Sequence, residues 1–216
     1  MKTKGKVISK WLSKYLDTIE NIIFLGRLEE FWNRLIIVSD LKPSEKVIDV
    51  GCGSGKLTLM IAKKLKDGGE VIGVDASENM INECNRDDLH KGYPVSFQLG
   101  IMEKLSFTDN YFDVVISSLA IHHVPRDVKI AAFKEFARVL KSGGRLLILD
   151  HGKPYKRGLK FLLFPMRWNI LEFQAENFRG EIPNLIKSVF HNVEEKDRFY
   201  GWLRVWKAIK TSDNKK

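Results

Sequence analysis

The sequence predicts one α/β domain in which a parallel sheet is covered by helices on both faces. Between residues 47 and 149, short apolar runs suited to buried strands alternate with segments whose apolar residues recur at helical spacing. Glycines mark several junctions between the two patterns. The length of 216 residues fits a single domain. Repeated strand–helix units are typical of parallel sheets, because parallel neighbours need a helical crossover.

Seven strands are predicted in total, five in the central region and two after it. The predicted strands cover residues 47–50, 71–74, 95–99, 112–117, 145–149, 193–199 and 202–209. The last two are expected to form a hairpin at Gly201. Amphipathic helices are predicted from the apolar positions Leu28, Phe31, Trp32, Leu35 and Ile36, from Leu57, Met60, Ile61 and Leu65, and from Phe133, Phe136, Ala137 and Leu140. Residues 183–190 are predicted to be helical as well.

Charge is concentrated at the two ends of the chain. The net charge is +9, and residues 151–216 carry 14 Lys and Arg against 7 Asp and Glu, whereas residues 47–150 carry 13 against 14. All five tryptophans also lie in the ends. No run approaches the roughly 20 apolar residues of a membrane span, and no signal-peptide core follows the basic N-terminus. Cys52 and Cys84 lack metal or redox spacing, so a cytoplasmic protein without a zinc site is expected.

The central motif is Asp49-Val50-Gly51-Cys52-Gly53-Ser54-Gly55, at the junction between the first strand and its helix. Glycines there allow a tight turn and the close approach of a ligand. A phosphate-binding P-loop would need glycine in place of Val50 and Ser or Thr in place of Leu57. The dinucleotide pattern G-x-G-x-x-G fails as well, because its last glycine falls on Lys56 or Thr58.

The same motif matches in full the acidic residue and G-x-G-x-G of class I S-adenosylmethionine-dependent methyltransferases. The sequence resembles this family over residues 45–151, particularly the group of ubiquinone/menaquinone-biosynthesis and small-molecule or lipid methyltransferases. The resemblance implies a Rossmann-like three-layer sandwich whose seven-stranded, mostly parallel sheet ends in an antiparallel edge hairpin. It also implies S-adenosylmethionine as cofactor, S-adenosylhomocysteine as product, and no metal.

The resemblance assigns a cofactor role to thirteen positions. Asp75, which ends the second strand, is expected to bind both ribose hydroxyls, although it could instead be an acid at the next helix N-terminus. Met80 is expected near the adenine and ribose or, alternatively, in the core. Ile101 stands where the family usually has the aspartate that binds adenine, so backbone groups of its neighbours would replace that contact. The predicted set is Asp49, Gly51, Cys52, Gly53, Gly55, Asp75, Ala76, Met80, Ile101, Met102, Glu103, Ser118 and Leu119.

Catalytic candidates follow the fourth and fifth strands, where ligands bind in such folds. His122 and His123 could accept a proton near neutral pH, and Asp150 and His151 could orient an acceptor. The alternatives are a structural or cofactor-side role for the histidine pair, and loop hydrogen bonding for Asp150 and His151. A base is optional, because the sulfonium already activates the methyl group and alignment alone lowers the barrier.

The ends are expected to serve the methyl acceptor. Residues 1–44 are predicted as a helical cap or lid, 45–151 as the cofactor-binding core, and 152–216 as an acceptor-side insertion followed by a helix and the hairpin, all in one domain. The N-terminal region has an apolar helical face beside Lys6, Lys10 and Lys14, formed by Val7, Ile8, Trp11, Leu12, Tyr15 and Leu16. This face and the aromatic segment 159–173 would cover an acceptor pocket or contact an anionic membrane surface.

The acceptor itself is not identified by the sequence. A small or hydrophobic molecule is expected, with an amine, thiol, phenol, quinone or lipid head group. Nucleic acid is not favoured, because the chain has neither an appended RNA-binding module nor the Asn/Asp-Pro-Pro-Tyr motif of base methyltransferases. An RNA methyltransferase and a non-catalytic S-adenosylmethionine-binding module remain as alternatives.

Overall fold

A seven-stranded sheet organises the chain in a computed structural model that describes residues 22, 24–65, 68–86, 91–155 and 175–212. The strands are β1 (Lys46–Val50), β2 (Glu70–Asp75), β3 (Val95–Leu99), β4 (Phe112–Ser118), β5 (Leu140–His151), β6 (Asn192–Phe199) and β7 (Leu203–Ile209). Their order is β3-β2-β1-β4-β5-β7-β6. The first five strands pair in parallel, whereas β7 pairs antiparallel with both β5 and β6. The predicted sheet and its edge hairpin are therefore confirmed.

Helices cover both faces of this sheet. They are α1 (Leu28–Ser39), α2 (Lys56–Leu65), α3 (Glu78–Arg86), α4 (Arg126–Val139), α5 (Ala175–Arg179) and α6 (Ile182–Lys187). One apolar cluster joins α1 and α2 to one face of the strands, and a second joins α4 and α6 to the other face. Successive side chains of β1 point to opposite faces of the sheet, so that Val47 belongs to the first cluster and Ile48 to the second. Burial on both faces explains why this strand is a continuous apolar run.

The start of β5 differs from the sequence-based expectation. The strand begins at Leu140, five residues before the predicted Arg145. Leu140 already has extended backbone angles and pairs with Phe112, and the register then shifts so that Arg145 pairs with Val114. Gly143, at φ +77°, lies within this irregular stretch. The helical spacing of apolar residues therefore includes one residue of the strand, because Leu140 is buried like the helical positions before it.

Two predicted regions at the ends lie outside the described residues. These are the apolar face formed by Val7 and its neighbours to Leu16, and the aromatic segment 159–173. The described part of the proposed cap is mainly α1, whose Phe31 and Leu35 are buried in the first cluster. Among the described helices, none is both long and apolar enough to cross a membrane.

Candidate cofactor and acceptor site

The glycine loop, residues 51–55, connects β1 to α2 at the carboxyl edge of the sheet. Gly51, Gly53 and Gly55 have φ values of +79°, +53° and +77°, which L side chains rarely adopt. Gly51 donates its N–H to the carbonyl of Val74 at 2.7 Å. A Cβ on Gly51 would lie 2.3 Å from the Cβ of Ala120. The loop is thus held tightly between the end of β2 and the segment that follows β4.

The Asp75 carboxylate connects the glycine loop to the loop after β2. Its Oδ2 accepts a hydrogen bond from the Gly53 N–H at 3.0 Å, and its Oδ1 accepts one from the Ser77 N–H at 2.8 Å. Partial burial raises the pKa of Asp75, and these two hydrogen bonds oppose the rise. A carboxylate has about four acceptor positions, so Asp75 can still receive a ligand hydroxyl. The bond to Ser77, just before α3, also matches the alternative role at a helix N-terminus.

Asp49 has one carboxylate oxygen without a partner among the described residues. Its Oδ2 accepts a hydrogen bond from the Thr58 hydroxyl at 2.6 Å, whereas the buried Oδ1 receives none from that part of the chain. Burial raises the pKa of Asp49 to about 7. A buried acceptor of this kind is unfavourable unless a donor or a cation reaches it.

Three other predicted cofactor positions near this edge of the sheet differ in how far they are exposed to solvent. Cys52 and Met80 are buried, and Met80 is fully so, which fits the packing alternative considered for it. Ala76 is half-buried beside Asp75. The Cys84 thiol lies 3.4 Å from the Gly53 carbonyl oxygen, so α3 contacts the glycine loop directly.

Two short segments complete the predicted cofactor set. Ile101 is buried and forms an isolated bridge with Lys104, so the chain turns sharply there. Met102 and Glu103 are half-buried within that turn, and Glu103 Oε2 accepts no hydrogen bond from a described residue. The other segment follows β4, where Leu119 has φ +54° and Ser118 Oγ accepts a hydrogen bond from Trp32 Nε1 at 3.0 Å.

All four catalytic candidates come together where β4 and β5 end. Asp150 Oδ1 lies 2.9 Å from His122 Nδ1, and its two oxygens also accept the backbone N–H groups of His151 (2.6 Å) and His122 (3.2 Å). The His122 ring is 4.1 Å from that of His151 and 4.0 Å from that of His123. Burial, followed by the charge of Lys129, lowers the pKa of His122 to about 3, and burial raises the pKa of Asp150. The imidazole of His122 is therefore neutral at pH 7.

Sequence analysis missed three residues of this region. Asn177 Nδ2 donates to Asp150 Oδ1 at 3.2 Å, and the fully buried Lys129 donates to Asn177 Oδ1 at 2.8 Å. Trp32, which bonds Ser118, was treated only as part of an apolar face. The sequence does indicate that Lys129 is unusual, because it lies four residues before Phe133 and hence on the apolar face of its helix.

Donor atoms of His122, Asp150 and His151 lie within 4.8 Å of one another, a spacing that metal sites also show. Here the Asp150 oxygens already accept hydrogen bonds from both histidines and from Asn177. The cluster also contains the buried Lys129 amine, whose charge would disfavour a metal ion. The expectation of a metal-free site stays a prediction.

Comparison with known proteins gives the family. A model described as a methyltransferase domain matches residues 47–144. The demethylmenaquinone methyltransferase of Symbiobacterium thermophilum is 33% identical over 71% of this chain and 61% of its own length. The ubiquinone/menaquinone biosynthesis C-methyltransferase UbiE of Neisseria meningitidis is 32% identical over 81% of this chain and 74% of its own length. The chain belongs to the class I S-adenosylmethionine-dependent methyltransferase family.

Structural comparison agrees with the methyltransferase fold. A methyltransferase from Aquifex aeolicus, described as dependent on S-adenosylmethionine, superposes with a TM-score of 0.69 at 18% identity and covers 94% of this chain and 100% of its own. The methyltransferase domain model and the quinone-biosynthesis relatives confirm the family resemblance predicted from the glycine motif, and with it the cofactor class at the level of the family. The chain spans less than two thirds of the length of three quinone-biosynthesis relatives, at 61%, 66% and 65%.

The described residues of this chain fit the family's cofactor. S-Adenosylmethionine carries ribose hydroxyls and an amino-acid ammonium. Asp75 offers a partly buried acceptor, and Asp49 offers a buried oxygen that has no partner among the described residues. The glycine loop has positive φ at three of its five positions. The site therefore has an acceptor for the hydroxyls, a carboxyl oxygen for the ammonium and a tight turn with three glycines.

Proposed function

We propose that this chain transfers the methyl group of S-adenosylmethionine to a small lipophilic acceptor. The observation that carries the proposal is the hydrogen bond between Asp75 and Gly53, which joins a conformationally specialised glycine loop to a carboxylate on the neighbouring parallel strand. S-Adenosylmethionine supplies a methyl group on a sulfonium: the acceptor forms a bond to the methyl carbon while the carbon–sulfur bond breaks, and its electron pair stays on the sulfur of S-adenosylhomocysteine.

Each part of the site has a proposed task in holding the cofactor. Asp75 accepts the ribose hydroxyls, Asp49 faces the ammonium, and the glycine loop lets the ligand approach the backbone. The turn formed by Ile101, Met102 and Glu103 bounds the adenine, while Ser118 and Leu119 lie beside the methionine portion. Ala76 and Met80 flank the adenine and ribose, and Cys52 belongs to the glycine loop.

A flat, lipophilic acceptor is supported by a group of rings beside His122. The His151 ring stacks on Phe178 with centroids 5.4 Å apart and meets Trp202 edge-on at 4.7 Å. Planar apolar ligands pack well against such rings. The relatives act on quinones by name, so a quinone-like acceptor is the substrate class we propose among amines, thiols, phenols and lipids.

We also propose contact with an anionic membrane surface, on the basis of the sequence at the two ends of the chain. Its support is the excess of basic residues after position 150 and the basic, apolar pattern before residue 17. Cytoplasmic location, the division into cap, core and acceptor side, and the exclusion of nucleic acid likewise remain predictions.

A by-product assay tests the proposed activity. With S-adenosylmethionine present, we expect S-adenosylhomocysteine release to rise when reduced demethylmenaquinone is added, and to remain at background with pools of amines, thiols, phospholipids or RNA. Turnover on RNA alone would favour the RNA alternative. If the chain binds the cofactor tightly but releases no S-adenosylhomocysteine with any acceptor, the result would contradict methyl transfer and favour the non-catalytic module.

Cofactor binding should release a proton from Asp49. With a pKa of about 7, about nine tenths of these carboxyls are protonated at pH 6 and about one tenth at pH 8. A ligand ammonium favours the charged carboxylate and lowers that pKa, so release should approach one proton at pH 6 and nearly vanish at pH 8. Calorimetry of cofactor binding in buffers of different ionisation enthalpy measures this number. Asp49→Asn should abolish the release, and release unchanged in that variant would refute the role.

A further inference from the structure

We propose that Lys129, acting through Asn177, keeps Asp150 ionised, so that Asp150 holds the proton of His122 on Nδ1 and leaves Nε2 free to take the proton lost by the methyl acceptor. Lys129 and Asn177 are positioning residues in this proposal, and His122 is the proton acceptor. The inference rests on the methyl transfer proposed above and names the residues that serve its proton.

The hydrogen bonds of His122 fix which nitrogen is basic. Its Nδ1 lies 2.9 Å from Asp150 Oδ1, and its backbone N–H reaches Asp150 Oδ2 at 3.2 Å. A carboxylate accepts hydrogen bonds, so Nδ1 carries the proton and Nε2 has the free electron pair. The ring also packs against the rings of His123 and His151. Its orientation is therefore set before a substrate arrives.

Asp150 needs a positive charge nearby, because it is fully buried and a buried carboxylate without compensation takes up a proton. The obvious source would be the imidazolium of His122. The structure offers another source in Lys129, whose amine is fully buried and reaches Asp150 through the side chain of Asn177, at 2.8 Å and 3.2 Å. With the lysine supplying the charge, the histidine can remain unprotonated.

The ion pairs around Lys129 leave Asp150 as the carboxylate nearest to His122. Lys129 pairs with Glu176 at 3.4 Å, Arg126 pairs with Glu176 at 3.3 Å and with Glu181, and Arg179 pairs with Glu181 at 2.7 Å. Together with Asp150, and with the histidines not counted, this gives three cations and three carboxylates. The network therefore holds as many positive as negative charges while His122 is neutral.

The groups that face His122 come from three elements. Asp150 and His151 lie on β5, Lys129 lies on α4, and His123 is its neighbour in the turn Ile121–His123. Burial is the main reason that the pKa of His122 is low, and the charge of Lys129 lowers it further. When the acceptor gives its proton to Nε2, the imidazolium that forms lies directly against the Asp150 carboxylate, which stabilises it until the proton passes to solvent.

Lys129→Met tests the proposal by removing the charge and keeping most of the volume. Imidazole-nitrogen NMR on histidine-labelled protein, assigned with His122→Gln, should show a neutral His122 with its proton on Nδ1 at pH 7 in the parent. In the variant the proton should lie on Nε2, because Asp150 without the lysine charge takes up a proton and donates it to Nδ1. Turnover of reduced demethylmenaquinone should fall about 100-fold at pH 7 and recover as pH rises and Asp150 ionises. The Kd for S-adenosylmethionine should stay unchanged. Lys134→Met, an exposed lysine on the same helix, is the matched control and should change none of these.

Asn177→Asp provides a second route if Lys129→Met does not fold. It is isosteric, keeps the lysine and adds a carboxylate that takes up the lysine charge and no longer donates to Asp150, so Asp150 should take up a proton at pH 7 and the proton of His122 should move to Nε2. A proton that stays on Nδ1 of His122 at pH 7 in a folded variant of either kind overturns the proposal, as does lost turnover that stays flat with pH. If the parent turns over no acceptor, methyl transfer fails, whereas the NMR result still decides whether Lys129 sets the tautomer of His122.

Discussion

Asp75→Ala should raise the Kd for S-adenosylmethionine by at least about 100-fold, because two hydrogen bonds to a charged acceptor contribute roughly 1.5–3 kcal/mol each. The same loss is expected for S-adenosylhomocysteine, since the ribose is common to both ligands. The variant also loses the hydrogen bonds from the Gly53 and Ser77 backbones, which hold the glycine loop against the start of α3. Calorimetric titration with both ligands measures the effect.

Two further variants separate ligand binding from folding. Asp75→Asn keeps the volume, and since burial raises the pKa of Asp75, removal of its charge should change the free energy of unfolding by only about 1 kcal/mol, from altered hydrogen bonds. Binding should still fall steeply in that variant. Glu78→Ala removes an exposed carboxylate from the first turn of α3 and should leave both quantities unchanged. Near-parental affinity in Asp75→Asn would show that the carboxylate serves only the loop.

The sheet and the cofactor edge could be predicted from the sequence because local rules determine them. Val47, Ile48 and Val50 face packed helices on both sides, so burial alone requires an apolar run. Gly51 and Gly55 occupy backbone conformations that exclude most other residues, so the motif directly reflects the geometry. The position of Asp75 could be predicted because Asp75 ends the strand next to β1, and in this fold that strand end lies beside the glycine loop.

The polar cluster behind His122 could not be predicted in the same way. Asp150 and Asn177 are 27 residues apart, and Lys129 and Asn177 are 48 apart, so only the packing of α4 and α5 against the end of β5 brings them together. Helical periodicity assigned Lys129 to an apolar face without indicating a partner for its amine. The sequence also does not show that one oxygen of Asp49 lacks a partner among the described residues, because this depends on which oxygen the Thr58 hydroxyl donates to.

Gly51→Ala should disrupt the cofactor site by displacing the backbone of the glycine loop. The new Cβ would lie 2.3 Å from the Ala120 Cβ, whereas ordinary contacts lie at 3.4 Å or more, so the glycine loop and the segment after β4 must separate by about an ångström. The φ of +79° adds roughly 1–2 kcal/mol of strain for an L-residue. Since Ala120 directly precedes the turn that carries His122, we expect cofactor affinity to fall at least about tenfold and turnover to fall further, as misalignment of about 1 Å can slow a reaction 100-fold.

Two matched changes separate the collision from the backbone strain. Gly143→Ala has nearly the same φ, +77°, but no described atom lies within 4 Å of its Cβ, and it is far from the loop. It should therefore lower the free energy of unfolding by about 1–2 kcal/mol without affecting cofactor binding. Ala120→Gly combined with Gly51→Ala removes the collision and leaves the strain, so part of the affinity should return. Chemical unfolding and cofactor titration on the three variants measure both effects, and a double variant no better than Gly51→Ala would mean that the contact with Ala120 does not hold the loop in its binding conformation.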